Sequence, residues 1–258
     1  MVTVIGASVA YFLYVAVVGL VMRLPARRRL LAVSVSSGGL ALAATASRAE
    51  GFWLESFLRP LLLLLVGYWA SGTLWVAPQP RVERLLAAFD TTLDLPRLAA
   101  RLPRILCELL ELSYVGIYAL IPIALLLYVG YAPDADPDRF WTVVLVTDYV
   151  CFAMLPWIQT RPPRALEAVA PCRSSIRTLN LGILGRTSIG VNTVPSGHAA
   201  EAMAIALLLM NAPAPIALLG WAGAILVPAG AVSGRYHYLL DVLAGWAVAA
   251  AVFLLCRL

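Results

Sequence analysis

Both histidines of the chain have polar neighbours at spacings that support chemistry. His237 stands in the stretch GRYHYLLD, four residues before Asp241, so the two side chains share one face of a helix. On that face the carboxylate can accept a hydrogen bond from one ring nitrogen, which leaves the other nitrogen free to act as a nucleophile or base. The spacing therefore predicts an oriented and reactive imidazole.

The second histidine, His198, follows Pro195, Ser196 and Gly197 in the stretch PSGH, which is typical of a helix start. Free backbone N–H groups and the helix dipole at such a start favour an anion, and Gly197 allows a close approach. In the first turn His198 is placed to protonate a leaving oxygen. Considered alone, the stretch is better explained as an ordinary capped helix.

Several arginines beside these histidines suit the same anion. Arg235 precedes His237 by two residues, and Arg161 and Arg164 belong to the stretch TRPPR. A planar guanidinium group donates forked hydrogen bonds that match phosphate oxygens. Arg235 taken singly is also explained by snorkelling to a membrane interface. Together with both histidines they predict a phosphate-binding site.

Two acids lie inside apolar stretches and are second-rank candidates, because an intramembrane acid is usually functional. Glu201 follows His198 by one helical turn, where it can hold the proton of that histidine or contact a substrate hydroxyl. Asp148 can do the same or pair with an arginine. Tyr236 and Tyr238, which flank the other histidine, are further candidates for substrate contact.

The elements that must position these residues are membrane helices. Of the 258 residues, 62% are hydrophobic and 13% are charged, and the mean hydropathy is +0.87. Apolar runs near bilayer-spanning length recur and strand-like alternation is absent, so the sequence predicts an all-α polytopic membrane protein. The first run lacks a basic leader and a cleavage site and is expected to be retained. Eight spans are predicted, near residues 2–22, 30–47, 60–78, 109–131, 140–158, 196–211, 214–231 and 238–256.

The order of these spans brings the motifs to one membrane face. The fifth span ends where the long loop 159–195 begins, and the sixth starts at Ser196 on the same face. The seventh span returns to that face, and the eighth starts near His237. The stretches TRPPR, PSGH and GRYH are therefore expected to meet at one surface, with the long loop folded against the membrane.

Residues 81–107 form an amphipathic segment between the third and fourth predicted spans. Its apolar residues recur at helical spacing, and arginines and acids occupy the opposite face; the apolar residues are Val82, Leu85, Leu86, Phe89 and Leu93. Two interpretations stay open, a helix lying in the headgroup plane and a soluble cap packed on the helix bundle.

Charge and cysteine content add little about partners. All nineteen basic residues are arginine and the net charge is +5, which arginine-rich cytoplasmic loops or an anionic ligand would explain. The four cysteines are scattered without metal-ligand spacing and are expected to be packing residues. No metal, cofactor or nucleic-acid partner is indicated.

The motif PSGH followed by R…HxxxD before an apolar helix resembles the type 2 phosphatidic acid phosphatase superfamily. This superfamily includes lipid-phosphate phosphatases, undecaprenyl pyrophosphate phosphatases, inositol phosphorylceramide synthases and vanadium haloperoxidases. The resemblance covers about residues 109–258 and implies a catalytic helical core there. Residues 1–80 are then expected to be N-terminal transmembrane helices and residues 81–108 an interfacial segment, all within one membrane domain.

The resemblance also implies roles for the site residues. His237 would be the nucleophile that forms a phosphohistidine, Asp241 would orient it, and His198 would be the general acid. Phosphoryl oxygens would be bound by the residues that match the two motifs, namely Ser196, Gly197 and Arg235. No metal and no cofactor would be needed.

The chain departs from the family pattern in two places. Met154 occupies the position of a lysine in the usual first motif, although Arg161 and Pro162 fit the end of that motif. Arg164 and Arg186 are the candidates to replace the lysine. In the third motif, the single residue between arginine and histidine resembles the branch that includes inositol phosphorylceramide synthases.

These features predict a metal-independent lipid-phosphate phosphatase that acts on a lipid phosphate or a prenyl (pyro)phosphate in the bilayer. Transfer of a phospho-headgroup to an alcohol such as inositol is the close alternative, and a transporter or a haloperoxidase is less well supported. The expected location is a bacterial plasma membrane. The arginine distribution favours a cytoplasmic site and analogy with relatives favours the outer face, so the side stays open, as does the oligomeric state.

Overall fold

A computed structural model describes residues 3–45, 51–166 and 174–256. Within these ranges the chain is helical and contains no strand, which confirms the all-α prediction. The described residues form twelve α-helices: α1 (Val4–Val21), α2 (Ala26–Ala44), α3 (Arg59–Thr73), α4 (Pro80–Thr92), α5 (Leu95–Arg101), α6 (Arg104–Val115), α7 (Ile117–Tyr131), α8 (Pro137–Ala153), α9 (Ser175–Thr187), α10 (Gly197–Leu209), α11 (Ala214–Ser233) and α12 (Leu239–Leu255).

The predicted count of eight spans is not confirmed. In the described ranges, three helices are long and apolar enough to cross a membrane: α1, α11 and the continuous helix Leu54–Thr73, whose first turn is a π-helix. Helices α6 and α7 would supply a fourth span, bent by 63°. Helix α10 is apolar but has only 13 residues, or about 20 Å at 1.5 Å per residue, which is shorter than a hydrocarbon core of about 30 Å.

One hydrophobic core joins the N-terminal helices to the C-terminal ones. Its buried members include Phe12 of α1, Leu63 of α3, Leu145 of α8, Ile205 of α10 and Phe253 of α12. Helix α8 therefore packs between α1 and α3 on one side and the helices that carry the histidine motifs on the other. This packing brings the side chains of α3 and α8 to the motif-bearing helices.

Helices α10 and α12 approach each other closely, because small residues line their contact. A side-chain carbon added at Gly245 would lie only 2.5 Å from the carbonyl oxygen of Ser196. The backbone N–H of Ser196 donates to the carbonyl oxygen of Asp241 at 2.9 Å. Small residues commonly permit such approaches between membrane helices, and here the approach joins the start of the PSGH helix to the HxxxD helix.

The amphipathic segment 81–107 is divided among α4, α5 and the start of α6, with Pro96 in the first turn of α5 and Pro103 directly before α6. On α4 the buried face carries Glu83, Leu86 and Asp90. Leu85, at 67% exposure, lies on the outer side of the helix. The acids of α4 therefore point into the protein, and its outer side carries Leu85 together with the exposed Arg81 and Arg84.

The cysteine prediction was wrong at one position. Cys107, in α6, is disulfide-bonded, whereas Cys151 and Cys256 are free. Cys172 lies outside the described residues. Irregular cysteine spacing did not reveal this bond because disulfide pairing depends on spatial proximity.

Candidate active site

A cavity of about 500 Å³ lies where α3, α6, α7, α8, α9 and α10 meet the turn between α11 and α12. One part is apolar and includes Leu61, Leu64, Leu65, Ile117 and Ile121. The rest carries the polar side chains that matter for chemistry: Asp148, Arg164, Arg186, Thr193, His198, Glu201, Tyr236 and His237. Both histidines predicted to act together therefore line one cavity.

The two imidazoles face a common space. The ring centroids of His198 and His237 are 6.2 Å apart, and their planes are inclined by 46°. His198 lies in the first turn of α10, and His237 lies in the turn before α12. A separation of this size allows both rings to contact a single phosphoryl group, as the motif analysis predicts.

Asp241 lies next to His237 but is bound mainly to other groups. Its Oδ2 atom accepts hydrogen bonds from the backbone N–H of Tyr238 at 3.0 Å and from Asn192 Nδ2 at 2.8 Å. The same oxygen is 3.6 Å from His237 Nδ1, which is too long for a hydrogen bond. Catalytic hydrogen bonds are often long without substrate, so the geometry is compatible with the predicted orienting role.

Ser196 and Gly197, at the start of α10, differ in whether they line the cavity. The buried Ser196 hydroxyl accepts a hydrogen bond from the N–H of Ala199 and so caps the helix. Gly197 lines the cavity, and a side-chain carbon added there would lie 3.2 Å from Asp148 Oδ1. The helix start therefore reaches the cavity through its backbone at Gly197, while the serine hydroxyl does not line it.

Two of the four candidate arginines line the cavity. Arg186, in the last turn of α9, is one of them. The other is Arg164, whose guanidinium carbon lies 5.0 Å from the centre of the Tyr236 ring. Burial lowers the pKa of Arg164 from its ordinary value, because desolvation disfavours the charged form. These two side chains are positioned to face a bound anion.

The other two candidate arginines bind carboxylates of α4 and do not line the cavity. Arg161 forms a forked pair with Glu83, at 3.0 Å from Nε to Oε1 and 2.8 Å from Nη2 to Oε2. Arg235 Nη1 lies 2.7 Å from Asp90 Oδ2. The structure therefore does not bring Arg161 and Arg235 to the cavity with the histidines. The guanidinium of Arg235 is buried and held by its carboxylate, whereas that of Arg161 is partly exposed.

An aromatic stack beside His198 was not predicted. The Tyr114 ring lies parallel to that of Tyr236 at 4.2 Å, and its centroid is 5.3 Å from that of His198. The stack links the turn before α12 to the start of α10 through α6. Tyr236, a predicted substrate contact, lines the cavity, whereas Tyr238 is buried outside its lining.

A buried acid binds the Tyr236 side of this stack. Glu111 accepts hydrogen bonds from the Tyr236 hydroxyl at 2.6 Å, from Arg177 at 2.9 Å and from the Asn180 amide at 2.6 Å. Glu111 lies in the predicted span 109–131, so the rule that selected Asp148 and Glu201 would also have found it.

The two acids predicted from the apolar stretches both line the cavity. Asp148 is 1% exposed and Glu201 is 7% exposed. The described part of the chain contains no group of three or more His, Cys, Asp or Glu side chains that could hold a metal ion.

A family model described as PAP2 superfamily matches residues 81–255, more than half of the chain. The match includes α4 and α5, which lie before the region that carries the motifs. Comparison with curated proteins and with solved structures gave no significant match.

Proposed function

The chain belongs to the PAP2 superfamily, and from this premise we propose that it is a membrane enzyme that hydrolyses a lipid phosphate or a prenyl (pyro)phosphate. The observation that carries the proposal is the pair of imidazoles, 6.2 Å apart in one cavity with Arg164 and Arg186. Helices of membrane-spanning length and an apolar cavity wall support a substrate in the bilayer. The proposed location is a bacterial plasma membrane.

The reaction proceeds in two displacements. The Nε2 atom of His237 attacks phosphorus, a P–N bond forms, and the P–O bond to the leaving group breaks. His198 donates its proton to the leaving oxygen. Water then attacks the phosphorus of the phosphohistidine while His198 takes up a proton from the water. A P–O bond forms, the P–N bond to His237 breaks, and inorganic phosphate leaves. Asp241 keeps the other nitrogen of His237 protonated and stabilises the positive charge on the ring.

Charge stabilisation comes from the groups around the phosphoryl oxygens. Phosphoryl transfer depends mainly on positioning and on preorganised positive charge. Arg164, Arg186 and the backbone at Gly197 supply that charge on the cavity wall. Arg161 and Arg235 act indirectly, since their ion pairs with α4 hold the loop 159–166 and the turn before α12 in place.

Transfer to an alcohol is the alternative reaction. The single residue between Arg235 and His237 supports it, because that spacing resembles the inositol phosphorylceramide synthase branch. The first step would be the same, and an alcohol would replace water in the second. Adding inositol to the assay distinguishes the two: a transferase releases the lipid alcohol in the first step and passes the phosphoryl group from His237 to inositol in the second, so inositol phosphate forms and little inorganic phosphate is released.

The test is phosphate release by the purified protein in detergent with EDTA present, on phosphatidic acid, prenyl phosphates and pyrophosphates, and phosphatidylglycerol phosphate. His237→Ala is expected to reduce kcat by about 10³-fold or more, since it removes the nucleophile. His198→Ala is expected to slow the reaction by about 10²–10⁴-fold, most strongly for poor leaving groups.

A phosphoenzyme that is stable to base and labile to acid should accumulate in His198→Ala during turnover of a good leaving group, and should be absent from His237→Ala. Arg97→Ala, which removes an exposed side chain of α5, is the control. Substantial turnover by His237→Ala would rule out the proposed nucleophile.

A further inference from the structure

Two buried carboxyl groups in the cavity lack the hydrogen-bond donors that the other buried acids have. The described residues include six buried acids: Glu83, Asp90, Glu111, Asp148, Glu201 and Asp241. Four of them accept hydrogen bonds from arginine, amide, hydroxyl or backbone groups. Asp148 Oδ2, Glu201 Oε1 and Asp241 Oδ1 have no hydrogen-bond partner within the described ranges. Asp241 differs from the other two because its second oxygen accepts hydrogen bonds from Asn192 and from the N–H of Tyr238.

Such acids are costly to bury without a function. An unsatisfied buried polar group costs about 1–3 kcal/mol, and more if it is charged. Both acids line the same cavity as His198 and His237. A group that binds in the cavity can therefore supply the missing donors, which explains why the protein itself does not.

The position of the two acids relative to His198 identifies the part of the ligand that they face. Glu201 follows His198 by three residues on α10, so it lies on the same face about one helical turn further into the bundle. Asp148, on α8, lies against the first turn of α10 at Gly197. If His198 protonates the leaving oxygen, the two acids lie on the leaving-group side of the phosphoryl group.

We propose that Asp148 and Glu201 form a subsite that accepts a hydrogen bond from a hydroxyl group on the leaving alcohol. This inference rests on the proposed function and names the substrate class within it. The substrate is a phosphate ester whose alcohol carries a free hydroxyl close to the ester oxygen and an alkyl chain beyond it. A neutral hydroxyl costs less to bring into this apolar site than an ammonium group would.

The apolar residues beside the subsite accommodate the rest of such a substrate. Leu61 and Leu64 of α3 and Ile117 and Ile121 of α7 line the same cavity as the two acids. An alkyl chain can occupy this part while the phosphate lies between the histidines. A simple prenyl or alkyl phosphate would fill the apolar part but would leave both carboxyl groups without donors.

The experiment compares two substrates that differ in one hydroxyl. Lysophosphatidic acid carries a free hydroxyl on the carbon next to the phosphate-bearing carbon. The corresponding acylated 1,3-propanediol phosphate lacks only this hydroxyl. The full-length protein is expected to favour lysophosphatidic acid by about tenfold or more in kcat/KM, because the second compound leaves the carboxyl groups unsatisfied. The measured quantity is the ratio of the two kcat/KM values.

Asp148→Leu and Glu201→Met remove the acceptors and keep similar volumes. In each variant the ratio is expected to fall to within about twofold of one. The unfolding temperature in detergent is expected to stay level or to rise, since an unsatisfied buried acid is replaced by an apolar group. Glu55→Met makes the same change at an exposed position outside the cavity and should keep the wild-type ratio.

The outcomes separate this inference from the proposed function. Equal turnover of both substrates by the wild-type protein overturns the hydroxyl subsite and leaves the phosphatase activity standing. Release of phosphate from neither compound, nor from any other lipid phosphate, overturns the proposed function itself. Variants that keep the wild-type ratio show that the two acids do not recognise the hydroxyl group. Variants that unfold show that the acids have a structural role. Either result overturns the subsite.

Discussion

The four arginines near the motifs differ in what they bind, and this difference determines what each substitution will do. Arg161 and Arg235 pair with Glu83 and Asp90, so they contribute to holding the fold. Arg164 and Arg186 face the cavity, where a bound anion would meet them. Changes at the first pair should act mainly on stability, and changes at the second mainly on catalysis.

Removing the partner of the most buried arginine tests this division. Asp90→Ala leaves the Arg235 guanidinium buried without the carboxylate it now binds at 2.7 Å. The expected loss is about 3–5 kcal/mol of unfolding free energy, which is measured as a lower unfolding temperature in detergent. Arg97→Ala breaks an exposed pair with Asp94 and should cost about 0–1 kcal/mol. Equal stability of the two variants would contradict the structural role of Asp90.

The pair between Glu83 and Arg161 predicts a pH dependence. The hydrogen bonds and charge of Arg161 hold the pKa of Glu83 below its ordinary value. A carboxyl group with a lowered pKa stabilises the folded state above its unfolded pKa, and this contribution is lost as the pH falls through the folded value. Glu83→Gln should therefore lower the unfolding temperature at neutral pH, and the difference from wild type should close in acid. A difference that stays constant with pH would show that ionisation of Glu83 is not involved.

Among the helices, α4 is distinguished by acidic side chains on its buried side. Its acids point inward to Arg161 and Arg235, and an N–H of α12, at Leu239, also donates to Asp90 at 3.0 Å. Leu85 is exposed on the outer side of the helix together with Arg81 and Arg84. This one helix thus fixes both the loop after α8 and the start of α12, and its outer side suits a membrane interface.

Lipid contact of α4 can be measured with a nitroxide probe on Leu85→Cys in a background that carries Cys256→Ala. The probe is expected to collide more often with oxygen, which dissolves in lipid, than with a water-soluble nickel chelate, because Leu85 is an exposed apolar side chain of an amphipathic segment expected at the membrane interface. A probe on Asp134→Cys, in the exposed turn between α7 and α8, should show the opposite preference. Equal access of the chelate to both positions would favour a helix that faces water.

For the whole molecule, the cavity depends on a part of the chain that the family match does not cover. The match begins at residue 81, yet Leu61, Leu64 and Tyr68 of α3 line the cavity. One continuous core joins α1 and α3 to α8, α10 and α12. The histidines, the arginines Arg164 and Arg186, and both unsatisfied acids come from the matched region, while α3 contributes to the wall where an alkyl chain would lie. Selection among lipid tails is therefore expected to depend partly on residues before the matched region.

Much of the architecture could be predicted from local pattern. Long apolar runs and the absence of strand alternation predict membrane helices, and the all-helical fold is confirmed. The PSGH and HxxxD stretches identify the family, which the match confirms. Counting helices brings His198 and His237 to one site, because helices joined by short turns must alternate in direction. The number of spans was harder to predict from the sequence. Short apolar helices such as α10 resemble membrane spans when their flanking turns are counted with them.

The sequence by itself determined the helical membrane fold, the family and the meeting of two histidines, because each follows from residue order along the chain. Only the tertiary structure decided which arginines face the cavity, which acids they bind and which acids remain unsatisfied. Glu83 and Asp90 lie 78 and 145 positions from their arginines. Electrostatic pairing depends on distance in space, and packing sets that distance between helices that are remote along the chain.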